Sequence, residues 1–138
     1  MPVLTLLFHR ILCAQFEIKS TDDIATSDKL NVATIEYKVG NFVVIDKCKH
    51  SGHLIFGKIV KFVSKMDDAN DWYFVTETVT TVVFSTHFHA YTISLKTSSQ
   101  YKLVQLSDML YHHPLYCHTI ANQGHLLKLI RVPYHIFK

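Results

Sequence analysis

The sequence predicts a mainly β domain with one short α-helix, its strands meandering into a small antiparallel sheet that curls into an open barrel. Three observations lead there. Aromatic residues (nine Phe, seven Tyr, one Trp) cluster with Val, Ile and Thr in runs of strand length, and these are the side chains that suit a pleated, half-buried surface. The runs are separated by turn chemistry at Gly40-Asn41, Ser51-Gly52, Asp67-Asp68 and Asn122-Gln123-Gly124. Hydrophobic residues make up 49% of 138 positions and charged residues 18%, enough apolar material for one core and too little charge for a disordered chain.

The first element is an apolar run from Pro2 to Phe8, ended by His9 and Arg10. It is too short to span a bilayer and lacks a basic flank before it, so it reads as a buried strand or helix and not as a targeting segment. Residues 19–30 are mostly Ser, Thr, Asp and Lys and read as a polar connection, which gives two parts: an N-terminal segment, 1–30, and one β-rich domain, 31–138.

Ile35, Tyr37 and Val39 alternate with Glu36 and Lys38, Gly40-Asn41 turns the chain, and Phe42 to Ile45 resumes as a fully apolar strand. His53 to Val63 is a long strand, with Gly57 marking a bulge or bend. After a polar loop, Trp72 to Phe84 supplies its hairpin partner, with neither Gly nor Pro and a bend expected near Thr80-Thr81. Strict alternation from Ser85 to Leu95 places His87, His89, Tyr91, Ile93 and Leu95 on one strand face. Leu103, Leu106, Met109 and Leu110 fall at helical spacing before Pro114, and Leu126 to Val132 forms a last strand. The expected total is six or seven strands and one helix.

Fourteen Lys plus Arg against eleven Asp plus Glu leave a net charge of +3, too small to impose a nucleic-acid partner on its own. Cys13, Cys48 and Cys117 are odd in number and widely spaced, which does not make a disulfide framework and points to a reducing, intracellular compartment.

The segments Val39-Gly40-Asn41-Phe42-Val43-Val44, Phe56-Gly57-Lys58-Ile59-Val60 and Trp72-Tyr73-Phe74-Val75 resemble the opening strands of SH3-like and BAH-like chromatin-reader barrels. A second pattern runs through Phe56-Gly57-Lys58-Ile59, Glu77-Thr78-Val79, Phe84, His87-Phe88-His89-Ala90-Tyr91, His113-Pro114-Leu115 and Leu127 to Ile136. It resembles the C-terminal β domain of uncharacterised, transposon-associated proteins of fish and invertebrates, over roughly Tyr37 to Ile136. That resemblance implies a fold unit and a mobile-element context, with the nucleus as the compartment such a context suggests, and no activity. The upstream DNA-binding or transposase-like region is missing, which is expected of a truncated or fragmentary gene product.

Ten histidines raise a metal hypothesis. Cys48, His50 and His53 lie in one turn, and His112-His113 and Cys117-His118 flank Pro114; four such ligands would hold a structural zinc. His87 and His89 on one strand face, with Asp108, His112 or His113 as a third ligand, would suit a catalytic metal. The plainer expectation is loop histidines and rim packing. Cys117 and His118, adjacent on an extended segment, point apart and make no nucleophile pair. No phosphate loop, dinucleotide fingerprint, zincin helix or nucleophile elbow is present.

Lys47, Lys49, Lys58, Lys61 and Lys65 surround the second strand, near Trp72 and Tyr73. Lys58 and Lys61 are candidate backbone-contacting cations and Trp72 and Tyr73 a candidate aromatic platform or cage; the competing reading is a solvated edge and core packing. The expectation is a non-enzymatic binding module for a peptide, chromatin or a nucleic-acid backbone, with no membrane partner and no cofactor. The alternatives are a metal-binding domain, structural or hydrolytic, and a gene fragment without selected activity.

Overall fold

The computed structural model describes residues 24–65, 72–94, 101–122 and 124–132. Among them are eleven strands and one 3-10 turn: β1 (Ile24–Ser27), β2 (Lys29–Val32), β3 (Ile35–Lys38), β4 (Phe42–Lys47), β5 (Leu54–Lys65), β6 (Trp72–Ser85), β7 (Ala90–Ser94), β8 (Tyr101–Val104), the turn Leu106–Asp108, β9 (Tyr111–Leu115), β10 (Cys117–Asn122) and β11 (His125–Ile130). The mainly β antiparallel class holds, and the sheet is not a closed barrel.

The long hairpin β5–β6 is the spine, and each of its strands changes partner along its length. The first part of β5 pairs with β4 and its last four residues with β1. The first part of β6 pairs with β8, its second with β7. The partner change coincides with a bulge: Ile59 faces Thr76 and Lys61 faces Val75, leaving Val60 as an extra residue on β5. A bulge bends a strand and sharpens its twist, so one hairpin serves two differently directed wings. The expected bend near Thr80-Thr81 is the bulge at Val82, between Thr81 and Val83.

The larger wing runs in the order β10-β11-β7-β6-β5-β4-β9. Its outermost strands, β9 and β10, are consecutive in the chain and joined by Tyr116 alone. Both ends of a seven-strand path therefore meet at one residue, which requires the sheet to curl around. No described ladder joins β9 to β10, so the seam beside Tyr116 stays open.

Curling creates an inner face, where Phe42, Val44, Leu54, Phe56, Val79, Tyr91, Ile93, Leu115, Ile130 and Val132 form one cluster. The opposite face is covered by the hairpin β2–β3, and there Tyr37, Val43, Ile45, Ile59, Phe62, Phe74, Val104 and Met109 form a second. Alternate β4 residues feed the two clusters, which is why Phe42 to Ile45 is apolar without a break. A small third cluster, Val63, Val75 and Leu103, joins the β1-paired end of the spine to β8.

The β3–β4 turn is fixed by hydrogen bonds. Gly40, at φ +97°, donates its N–H to the Ile59 carbonyl at 2.8 Å, and the buried Asn41 accepts the Lys38 N–H on Oδ1 at 2.8 Å. The buried Tyr37 hydroxyl donates to the His112 carbonyl and ties β3 to β9. Burial pushes the Tyr37 phenol up from its ordinary value. Tyr37→Phe keeps the ring and deletes this bond, so the chain should lose about 1 kcal/mol in a urea melt; an unchanged midpoint would mean the bond adds nothing net.

Several expectations are corrected. Residues 24–30, expected to be connection, include β1 and part of β2, since short strands of alternating polar character carry little apolar signal. The helix over 103–110 is absent: Leu103 and Val104 are buried in β8, and the three-residue spacing of Leu106 and Met109 belongs to a 3-10 turn whose Met109 N–H donates to the Leu106 carbonyl. Pro114 does not stop a helix. It sits in an irregular stretch where Tyr111–Leu115 opposes only Phe42–Val44, an edge position that tolerates a missing N–H. The Pro2–Phe8 run and Leu95 lie outside the described residues.

Candidate binding surface

The four residues expected to form a binding face do not come together. Trp72 and Tyr73 are successive strand residues and point to opposite faces. Trp72 packs with Leu30, Val32 and Leu106 on the hairpin-covered side, whereas Tyr73 packs on the third cluster, so they cannot form one cage. Lys58 stands across from Glu77 on the inner face side. Lys61 reaches Asp28, Nζ to Oδ1 2.7 Å, so its charge is already matched. Trp72 does border an open groove of about 480 Å³ between the β2–β3 turn and residues 105–107, but no charged residue lines it.

The metal sets fare likewise. His87 and His89 do not share a strand face, because residues 86–89 form the β6–β7 turn and His89 lies at φ +51°. The alternation that suggests a strand is here a turn closing a hairpin. His87 stacks edge-on against Phe88, and His89 against Phe84. His112 and His113 are exposed on β9, Cys117 faces the inner cluster and His118 is exposed on β10. The Asp108 carboxylate accepts the Gln105 N–H at 3.0 Å. Among the described residues, no three His, Cys, Asp or Glu side chains are placed to hold a metal ion.

The two described thiols differ. The Ser51 hydroxyl and backbone groups of Ser51 and His50 hold Cys48 below the usual thiol range, whereas burial pushes Cys117 up against the pull of Lys128 and Lys58. Cys48 should therefore be alkylated several-fold faster than Cys117 near neutral pH, read by peptide mass spectrometry in a Cys13→Ser background. Equal rates would contradict the difference in environment. Because the folded chain holds the Cys117 proton more tightly than the unfolded one, its contribution to stability is full below the ordinary thiol range and falls as pH rises through it.

What the fold does assemble is an acid-free wing, the end of the seven-strand path that runs from the second part of β6 through β7 and β11 to β10. After Glu77 the sequence holds a single acid, Asp108, against Lys96, Lys102, Lys128, Arg131 and Lys138. The second part of β6, with β7, β10 and β11, therefore carries Lys128 and the neighbouring Arg131 with no Asp or Glu, and His87, His89 and His118 lie on the same wing. An open cleft of about 670 Å³ runs along it, lined by Val82, Val83, His87, Leu126 and Lys128 among others. Val82, Val83 and Leu126 are 61%, 49% and 72% exposed, unusual values for three large apolar side chains at one cleft. On the same wing Phe88, Ala90, His118, Ile120, Leu129 and Arg131 enclose a smaller pocket of about 240 Å³. The Arg131 guanidinium donates to the Phe88 carbonyl at 3.3 Å, which fixes its place at the pocket.

Sequence reasoning misses Lys128, Arg131 and the exposed valines. The signal that would find them is the position of the acids along the chain, which the total charge of +3 averages away. Comparisons with protein-family models, curated proteins and solved structures return no match.

Proposed function

We propose that this chain is a non-enzymatic binding module whose partner is an acidic peptide segment held on the acid-free wing. The observation that carries the reading is the pairing, at one cleft, of exposed Val82, Val83 and Leu126 with Lys128 in a part of the sheet that has no carboxylate. Apolar side chains left at a surface cleft gain by being covered, and an uncompensated basic field selects against cationic partners and hastens encounter with anionic ones. The apolar content favours a peptide over a nucleic-acid backbone, which would call for cations and stacking rings along a track. The widely spaced cysteines support an intracellular location, and the resemblance to transposon-associated proteins supports a mobile-element-derived, nuclear setting. No helix among the described residues is long and apolar enough to cross a membrane.

The test is fluorescence anisotropy with three labelled probes: an alternating Glu-Val octapeptide, its Lys-Val counterpart and an oligothymidylate. The Glu-Val probe should bind, more weakly as salt rises, and Lys128→Glu with Arg131→Glu should weaken it at least about tenfold, the scale of 1.4 kcal/mol. Preference for the oligothymidylate would replace the peptide by nucleic acid. Equal binding of the Glu-Val and Lys-Val probes would remove the electrostatic basis.

A further inference from the structure

Sheet edges are where a folded protein leaves backbone donors and acceptors in a row, and most proteins blunt them with lysine, proline, bulges or shortness. The described edges here follow that rule with one exception. β9 carries Pro114 and an irregular register, β8 carries Lys102, and β1 has four residues. β10, Cys117-His118-Thr119-Ile120-Ala121-Asn122, has six residues, no proline, no Lys, Arg, Asp or Glu, and an unbroken register of six pairs with β11. Among the described residues no strand pairs with its other edge, which borders the open seam beside Tyr116.

We infer that the outer edge of β10 is a strand-addition site for an extended acidic peptide, whose backbone continues the ladder and whose alternate carboxylates face His118 on the acid-free wing. The inference rests on the acidic partner proposed above and goes beyond that reading, because the outer edge of β10 is three strands away from Val82 and Val83 on β6.

The two faces of β10 differ in a way that sets the peptide's pattern. Cys117, Thr119 and Ala121 lie on the inner face side, as their register with Ile130, Lys128 and Leu126 places them, and all three are small. Cys117 and Ala121 leave room for β-branched side chains on an added strand, and between them the Lys128 ammonium donates to the Thr119 hydroxyl at 2.6 Å. His118 and Ile120 lie on the other face and line the 240 Å³ pocket with Arg131. Every second side chain of an added strand stands beside His118 and Ile120, and a carboxylate there lies in the field of Lys128 and Arg131 with no competing acid on the wing. An alternation of acid and β-branched residue is the pattern that fits. A second copy of this chain fits less well, because pairing β10 with β10 brings two acid-free wings, each with Lys128 and Arg131, together.

Strand addition has a signature that side-chain docking lacks. In an added strand only alternate amides point at the receiving edge, so N-methylation of one alternate set removes those bonds and methylation of the other does not. The Glu-Val octapeptide and its two alternately N-methylated forms would be titrated into the intact chain by anisotropy. One methylated form should lose at least tenfold in affinity and the other should stay within about twofold of the parent, a split of 1.4 kcal/mol or more. On adding the parent peptide, alternate β10 amides should gain protection from hydrogen exchange.

Equal binding by all three peptides, with β10 amides unchanged, would overturn strand addition and leave the acidic-peptide module standing. Failure of the parent peptide to bind would overturn both. A dimer in sedimentation equilibrium that Ile120→Lys dissociates would give the edge to a second copy and overturn the proposal.

Discussion

Replacing Phe74 with alanine should cost about 3–5 kcal/mol, the range for deleting a fully buried aromatic side chain. Phe74 is at the centre of the cluster beneath the β2–β3 hairpin, with ring centroids 5.0 Å from Tyr37 and 5.1 Å from Phe62, both edge-on. Removing it takes away transfer energy and two aromatic contacts, and it leaves a cavity beside Tyr37 of β3 and Phe62 of β5. The surrounding residues cannot close it cheaply, because β6 is held by β5 on one side and by β8 on the other. Domains of this size have total stabilities of about 5–15 kcal/mol, so the variant should melt roughly 10–20 °C lower or fail to fold at working temperature. Phe74→Leu, which keeps most of the volume, should recover more than half of the loss. A urea melt of both variants decides the matter, and a loss below about 1.5 kcal/mol for the alanine form would show that the hairpin-covered cluster lies outside the cooperative core.

Gly57→Ala should destabilise by about 1–3 kcal/mol, although alanine is ordinarily the better strand residue. A Cβ built at Gly57 would lie 2.8 Å from the Thr76 Cβ, 3.1 Å from its Oγ1 and 3.3 Å from its Cγ2. Thr76 cannot swing away at little cost, since it is fully buried and its hydroxyl donates to the Lys102 carbonyl at 3.0 Å. One methyl group would thus press apart β5 and β6 beside the bulge at Val60 and strain the link from β6 to β8. The glycine is not needed for a left-handed turn here; it lets two strands approach. Thermal unfolding checks this, and an alanine variant as stable as the parent would show that β5 shifts freely against β6.

Much of the spine is legible in the amino-acid sequence itself. The β5–β6 hairpin, the apolar run of β4, the turn at Gly40-Asn41 and the last strand follow from composition and turn chemistry, because long, uninterrupted runs of β-formers have few alternatives. Gly57 suggests a bulge or bend, whereas the bulge is at Val60 and the glycine answers to Thr76, a partner on another strand. The β9–β10 corner is hidden because its first strand contains Pro114 and two histidines and because a one-residue joint offers no turn signal. The candidate site is less legible still. Alternation at His87 and His89 cannot be told from a turn without knowing where β7 starts; the separation of Trp72 from Tyr73 is already implied by their adjacency on a strand, and the fold adds only which cluster each one joins. The acid-free wing is present in the order of residues, and its meaning depends on β6, β7, β10 and β11 being neighbours.

The joint at Tyr116 also bears on how the chain finds its fold. Phe42 pairs with Leu115 across more than seventy residues of sequence, and Cys117 starts a ladder with Ile130 that docks on β7. Hairpin zippering alone brings β5 to β6 and β10 to β11. The strand pair on either side of Tyr116 must be captured from a distance, after those local pieces exist, and closing so large a loop adds an entropic barrier to the transition state. Refolding is therefore expected to be limited by this single encounter, the kinetic counterpart of a sheet whose two ends share one residue.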